Sequence, residues 1–180
     1  PLMRQICHTA MSESSFLNGQ DIFLQDADAW TIYHVAEDRL VYDYSNSFAF
    51  GNRKSLGPAS LRVEGFRTHV HRNSWLAEMA LWCEWKHRGT LWARIPTSVT
   101  KLDCRELFSI CANAAGTLIN GVRTFAIIYV DHVERMEAEG TLIRDLPLDM
   151  EQTRPVIVRA QKLATMSTEP FPLVRVTSFQ

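Results

Sequence analysis

Val122, Phe125, Ala126, Tyr129, Val130, Val133 and Met136 fall at i, i+3, i+4, i+7, i+8, i+11 and i+14. That is the spacing of one face of an α-helix, and Gly140 is placed to stop it. A stripe this long must be buried against something, and the chain before it is not helical. From Asp21 the texture is that of short strands. Ile22-Phe23-Leu24 is an apolar run, and Trp30–Val35 and Arg39–Tyr44 alternate and are rich in β-formers. Ala36-Glu37-Asp38 reads as a hairpin turn between the last two. Leu61–Glu64, Phe66–Arg72, Thr90–Arg94 and Ser98–Leu102 alternate in the same way, with Pro96 in the final turn.

The remaining segments frame this strand-rich middle. Leu2, Met3, Ile6, Cys7, Ala10 and Met11 predict an amphipathic helix over residues 1–15, broken by Asn18-Gly19. Residues 45–60 hold Ser, Asn, Gly and Pro and read as an exposed loop. Arg53 and Lys54 in it are either solvated loop charges or a phosphate site. Asp103 with Glu106 three positions on is a capping box, opening a helix through Leu107, Phe108, Ile110 and Cys111 that Asn113–Gly116 ends. Beyond Gly140, Leu142–Leu148 reads as a turn of helix ended by Pro147, Pro155–Val158 as a strand, and Pro170-Phe171-Pro172 as extended chain. There are no internal repeats and no low-complexity tract. The order helix, strands, helices predicts an α+β fold around one core. It is an antiparallel eight-stranded β-roll, jelly-roll-like, flanked by an N-terminal helix and C-terminal helices. The domain is expected over 1–144, with its core at 16–140, and 145–180 as a tail without assigned function.

Composition removes several classes. With 180 residues, 46% hydrophobic and 22% charged, the chain is long enough for one well-packed globular domain and ordinary enough to be soluble. A net charge of −1 gives no electrostatic basis for nucleic acid or an anionic membrane. No apolar run reaches the ~18 residues of a membrane span, and no signal peptide is recognisable. The first residue is Pro1, which reads as a segment of something longer. Cys7, Cys83, Cys104 and Cys111 form no CxxC pair or metal spacing and read as free thiols in a reducing, cytoplasmic setting, the cytosolic part of a membrane protein included.

The stretch Trp75–Ala93, WLAEMALWCEWKHRGTLWA, carries the chemistry. Small residues flank Glu78, so a ligand can approach backbone N–H groups, and a short helical turn would aim those donors at an anion. Glu78 can accept from a ligand hydroxyl. Arg88 is a planar, permanently charged fork suited to phosphate, and Thr90 adds a hydroxyl. An acid and a base converging on one ligand suggest a sugar phosphate. A surface pair of Glu78 with Arg88 fits the same spacing. Trp82, Trp85 and Trp92 around it either stack a purine or cap the core of a small barrel.

The segment resembles the phosphate-binding cassette of cyclic-nucleotide-binding domains, as in catabolite activators, kinase regulatory subunits and cyclic-nucleotide-gated channels. The family pattern Phe-Gly-Glu-Leu-Ala-Leu is met by Trp75-Leu76-Ala77-Glu78-Met79-Ala80-Leu81. The following Arg-(Ala/Ser)-(Ala/Thr) is met by Arg88-Gly89-Thr90, ahead of Leu91-Trp92-Ala93. Upstream, Ile22-Phe23, Tyr33-His34-Val35 and Leu40 also match. Two turn glycines of the family become Asp26 and Asp38, residues that tolerate αL, and a third becomes Ala77, which could crowd the ribose if φ is positive there. The resemblance spans roughly residues 5–140.

The resemblance implies a non-catalytic role: cyclic AMP or cyclic GMP bound in the roll, with no other cofactor and no metal. Glu78 would hold the ribose 2′-hydroxyl and Arg88 the cyclic phosphate, with the amides of Ala77, Met79 and Ala80 helping. Leu76, Gly89 and Thr90 complete the binding set. The long helix would be a lid over the base, with Tyr129, His132, Val133 and Met136 as candidate contacts or as packing residues on the barrel. Closure would bias an effector in the parent chain, such as an ion channel or a kinase, and a homo-oligomer is compatible with this. The rival is a domain of the same fold whose pocket does not bind and which serves assembly. A weaker rival is a cupin-like enzyme, for which only His69 and His71 hint at a metal pair. None of the Gly-x-Ser-x-Gly, P-loop, His-Glu-x-x-His or Rossmann motifs is present, so no enzyme is expected.

Overall fold

Two four-stranded antiparallel sheets enclose the first core. The computed structural model describes residues 2–44, 66–113, 117–148 and 150–166. The strands are β1 (Met11–Phe16), β2 (Asp21–Phe23), β3 (Asp28–Ala29), β4 (Thr31–Val35), β5 (Leu40–Tyr44), β6 (Phe66–Val70), β7 (Ser74–Leu76), β8 (Trp85–Lys86), β9 (Thr90–Ala93) and β10 (Thr97–Asp103). One sheet runs β1-β10-β4-β7 and the other β2-β9-β5-β6, while β3 and β8 form a two-stranded ribbon. The expected eight-stranded roll is therefore present, with the ribbon added. Its interior holds Tyr33, Val35 and Val99 from one sheet against Leu40, Tyr42 and Leu91 from the other. No helix among the described residues is long and apolar enough to cross a membrane.

Four sequence expectations change. The N-terminal helix is short: α1 (Leu2–Gln5) runs into a wide π turn at Ile6–Ala10, and Met11 already belongs to a strand, opposite Leu102. Ser12-Glu13-Ser14-Ser15 is too poor in helix formers to carry the helix on once β10 offers a hydrogen-bonding edge. Ala36–Asp38 is not a hairpin turn. β4 pairs with β10 and β7, and β5 with β6 and β9, so the turn carries the chain from one sheet to the other. Residues 142–148 form no helix, and the supposed strand Pro155–Val158 lies inside α4 (Met150–Met166). There Thr153, Val156 and Ala160 are buried at helical spacing while Val158 is exposed, so period 3.6 overrides β propensity. The strand at Leu61–Glu64, the loop with Arg53 and Lys54, and Pro170–Pro172 lie outside the described residues.

Asp103 caps α2 (Cys104–Asn113) by accepting from the backbone N–H groups of Arg105 and Glu106 at 2.8 and 3.1 Å. The periodic stripe lies on α3 (Thr117–Ala138), which ends at Gly140 with φ of 88°. Tyr129, Val130, Val133 and Met136 are buried, but Val122 is 40% exposed, so the stripe is not buried along its whole length. α3 packs on α4. With Met79, Ala80 and Trp85 from the cassette they form a second core beside the roll.

Candidate functional site

The cassette is the seam between the two cores. Leu76 and Ala77 belong to the roll interior, and Met79, Ala80, Cys83 and Trp85 to the helical core. The chain makes the crossing through Ala77, at φ of 58°, a left-handed conformation that costs a non-glycine residue about 1–2 kcal/mol. Positive φ is thus required where the cassette pattern has glycine, and alanine meets it. Asp26 also adopts positive φ, at 65°, whereas Asp38 serves its turn by accepting from the backbone N–H of Arg72. Glu78–Leu81 follow Ala77 as one 3₁₀ turn, closed by Ala80 N–H to Ala77 O at 3.0 Å and Trp82 N–H to Met79 O at 2.9 Å.

The donors downstream of that turn converge on a residue outside the cassette. Asp145 is fully buried, and both its carboxylate oxygens are ringed by donors. Oδ1 accepts from Trp85 Nε1 at 2.8 Å and faces His87 Nδ1 at 3.1 Å. Oδ2 accepts from the Tyr42 hydroxyl at 2.8 Å, from Arg88 N–H at 2.8 Å and from Gly89 N–H at 3.1 Å. The Asp145 carbonyl takes Ala77 N–H at 2.7 Å. A buried carboxylate without partners costs several kcal/mol, and hydrogen bonds to a charged group return about 1.5–3 kcal/mol each. A ring of donors is what makes this burial tolerable. The frame around it is rigid: His87 is buried and stacks on Phe23 at 3.7 Å. Gly89 is needed, because a Cβ there would stand 2.5 Å from the Tyr42 ring.

Arg88 adds to the ring through its backbone. Its guanidinium pairs with Glu137 of α3 at 3.4 Å and lies 4.6 Å from the Trp85 ring centre. Burial pushes the Glu137 carboxyl up, with Arg88 pulling it back. Glu78 is half-buried. Burial pushes its carboxyl above the usual carboxylate range, with the Trp82 indole pulling the other way. Tyr129 is raised by burial and then by the nearby Glu78 charge.

Of the expected binding set, Ala77, Arg88 and Gly89 meet at Asp145, whereas Leu76 packs in the roll interior, Met79 and Ala80 in the helical core, and Thr90 accepts from Gln25 N–H at 3.2 Å. Tyr129, Val133 and Met136 are packed in the helical core, with Tyr129 against Phe125 and Trp82 at 5.4 and 6.1 Å. His132 is half-buried with no hydrogen-bond partner for Nε2. Trp82 and Trp85 fill core positions, and Trp92 lies under Arg67. His69 and His71 are exposed, and among the described residues no group of three His, Cys, Asp or Glu could hold a metal. Asp145, Tyr42 and His87 were not singled out as site residues from sequence, and Trp85 was read as a purine stacker or a core cap rather than as a hydrogen-bond donor. The available signal was the Arg144-Asp145 dipeptide set between two apolar residues, Ile143 and Leu146, that both pack into a core.

Solved structures of similar fold include cyclic-nucleotide-binding and regulatory domains. A cyclic nucleotide-binding-like protein from Brucella abortus is 15% identical, with 62% of this chain and 84% of that one covered and a TM-score of 0.45. The sensor domain of the transcriptional regulator DNR from Pseudomonas aeruginosa is 14% identical over 82% of this chain and 85% of that one, TM-score 0.48. The regulatory domain of Toxoplasma gondii PKA, crystallised with cAMP, is 19% identical over 56% of this chain and 34% of that one, TM-score 0.43. At such identities the likeness stops at the fold. No family model and no curated protein matches the chain.

Proposed function

We propose that this chain is a non-catalytic regulatory domain of the cyclic-nucleotide-binding type whose anion cradle is filled by its own Asp145. The carrying observation is that carboxylate, held by Arg88 N–H, Gly89 N–H, Tyr42 and Trp85 in the cassette that resembles a phosphate site. The lid helix α3 is already docked, through Val133 in the core and through Glu137 on Arg88. The resting protein then takes up neither cyclic AMP nor cyclic GMP. It acts as a module whose closed lid is read by an effector in the parent chain. A second reading has a specific support: Glu78 and Arg88 both stand at the cassette positions where the resemblance puts ribose and phosphate contacts. On that reading a cyclic nucleotide displaces Asp145.

Calorimetric titration of the unmodified protein with both nucleotides separates the two. No heat at millimolar ligand is the expected result. Micromolar binding that Arg88→Ala abolishes would establish the second reading and end the first.

A further inference from the structure

The Asp145 cradle has two sides of different origin. Its donors belong to paired strands and the turn that joins them: Tyr42 on β5 of the roll, Trp85 on β8 of the ribbon opposite Ala29, and His87, Arg88 and Gly89 in the turn before β9. They are held without help from Asp145, because β5 and β9 pair in register, Tyr42 opposite Leu91 and Asp43 opposite Thr90. The occupant arrives from the segment after α3. That segment has anchors of its own: Ile143 is 1% exposed, Arg144 lies 4.1 Å from the Phe66 ring centre, and the Asp145 carbonyl holds Ala77 N–H. Truncating the Asp145 side chain should therefore leave both walls standing and vacate one carboxylate-sized space between them.

We infer that this space is a latent binding site for a small carboxylate, opened when the Asp145 carboxylate is removed. Every group facing that carboxylate is a hydrogen-bond donor or can be one: two backbone N–H groups, an indole N–H, a phenol and an imidazole nitrogen. With no acceptor inside, the buried Tyr42 hydroxyl and Gly89 N–H lose the carboxylate they donate to, a state that favours entry of any anion of the right shape. Asp145→Ala deletes one carboxylate group, and formate has that shape. The inference rests on the reading of Asp145 as the occupant of the cassette.

The test is thermal unfolding of the unmodified protein, Asp145→Ala and Asp145→Asn in sodium formate against sodium chloride at equal ionic strength. Asp145→Ala should melt lower than the unmodified protein in chloride. Formate at about ten times its dissociation constant should then raise its midpoint by about 4 °C, as expected for ligand linkage in a domain of this size. The unmodified protein and Asp145→Asn, whose cradles remain filled, should show no such rise. An equal formate shift in all three, a folded Asp145→Ala that ignores formate, or an Asp145→Ala that stays unfolded in formate would each overturn the inference. Heat from cyclic AMP in the unmodified protein would instead overturn the reading of the resting state, a separate outcome.

Discussion

Tyr42 donates its hydroxyl to Asp145 Oδ2 at 2.8 Å, joining the middle of the roll to a residue 103 positions away, beyond α3. The same hydroxyl is 3.4 Å from Asp145 N–H, which donates back to it. Burial, and then the Asp145 charge, push the Tyr42 phenol far above its usual range, so the group remains a donor at every physiological pH. One side chain thus fixes both the position of the segment after α3 and the orientation of its carboxylate.

Tyr42→Phe keeps the ring and removes that donor. Oδ2 retains the two backbone N–H groups but loses its hydroxyl partner in a site closed to water. The expected loss is about 1.5–3 kcal/mol, the range for a hydrogen bond to a charged group. Urea unfolding should report it as a lower midpoint with unchanged slope. A midpoint equal to that of the unmodified protein would mean the hydroxyl does not hold Asp145.

Gly89→Ala attacks the same contact from the other side. The new Cβ would lie 2.5 Å from Tyr42 Cζ, 2.6 Å from its Oη and 2.7 Å from the Asp43 carbonyl. Tyr42 is fully buried, and the Asp43 carbonyl belongs to a paired strand, so neither can yield cheaply. Overpacking of this kind costs about 1–3 kcal/mol. Adding Tyr42→Phe should recover only the part due to the hydroxyl, since the ring and the carbonyl remain. A double-mutant cycle on unfolding free energies measures this, and strict additivity of the two changes would deny the contact.

The roll was legible because its strands alternate and its long helix repeats at 3.6, both consequences of one buried face. The N-terminal segment was misread because its apolar spacing fits a helix, while β1 exists through pairing with β10, some ninety residues away in sequence (about 0.5 of the chain, a separation that loop-closure entropy makes invisible locally). The cassette reads as a local string, Leu76 to Thr90, and the structure divides it between the two cores. Asp145 was not legible, because a lone aspartate after a helix looks like solvent-exposed chain. Only the arrangement of Tyr42, Trp85 and Gly89 around it, all far away in sequence, turns it into a buried anion.

Glu78 gives a prediction whose sign is set by burial. Its carboxyl is raised above the ordinary value by desolvation, so the folded chain holds that proton more tightly than the unfolded chain does. The stabilisation linked to this proton is complete below the unfolded value, about pH 4, and is lost as pH rises through the folded one. At neutral pH the ionised, half-buried carboxylate is a burden. Glu78→Gln should therefore raise the unfolding midpoint at neutral pH, and the gain should shrink on acidification until the two proteins coincide. Because only residue 78 differs, the raised Glu137 carboxyl contributes equally to both and cancels. Urea midpoints of the pair measured across this pH range decide the matter. A Glu78→Gln protein less stable than the original at neutral pH would mean that the carboxylate has a cationic or donor partner strong enough to reverse the effect of burial.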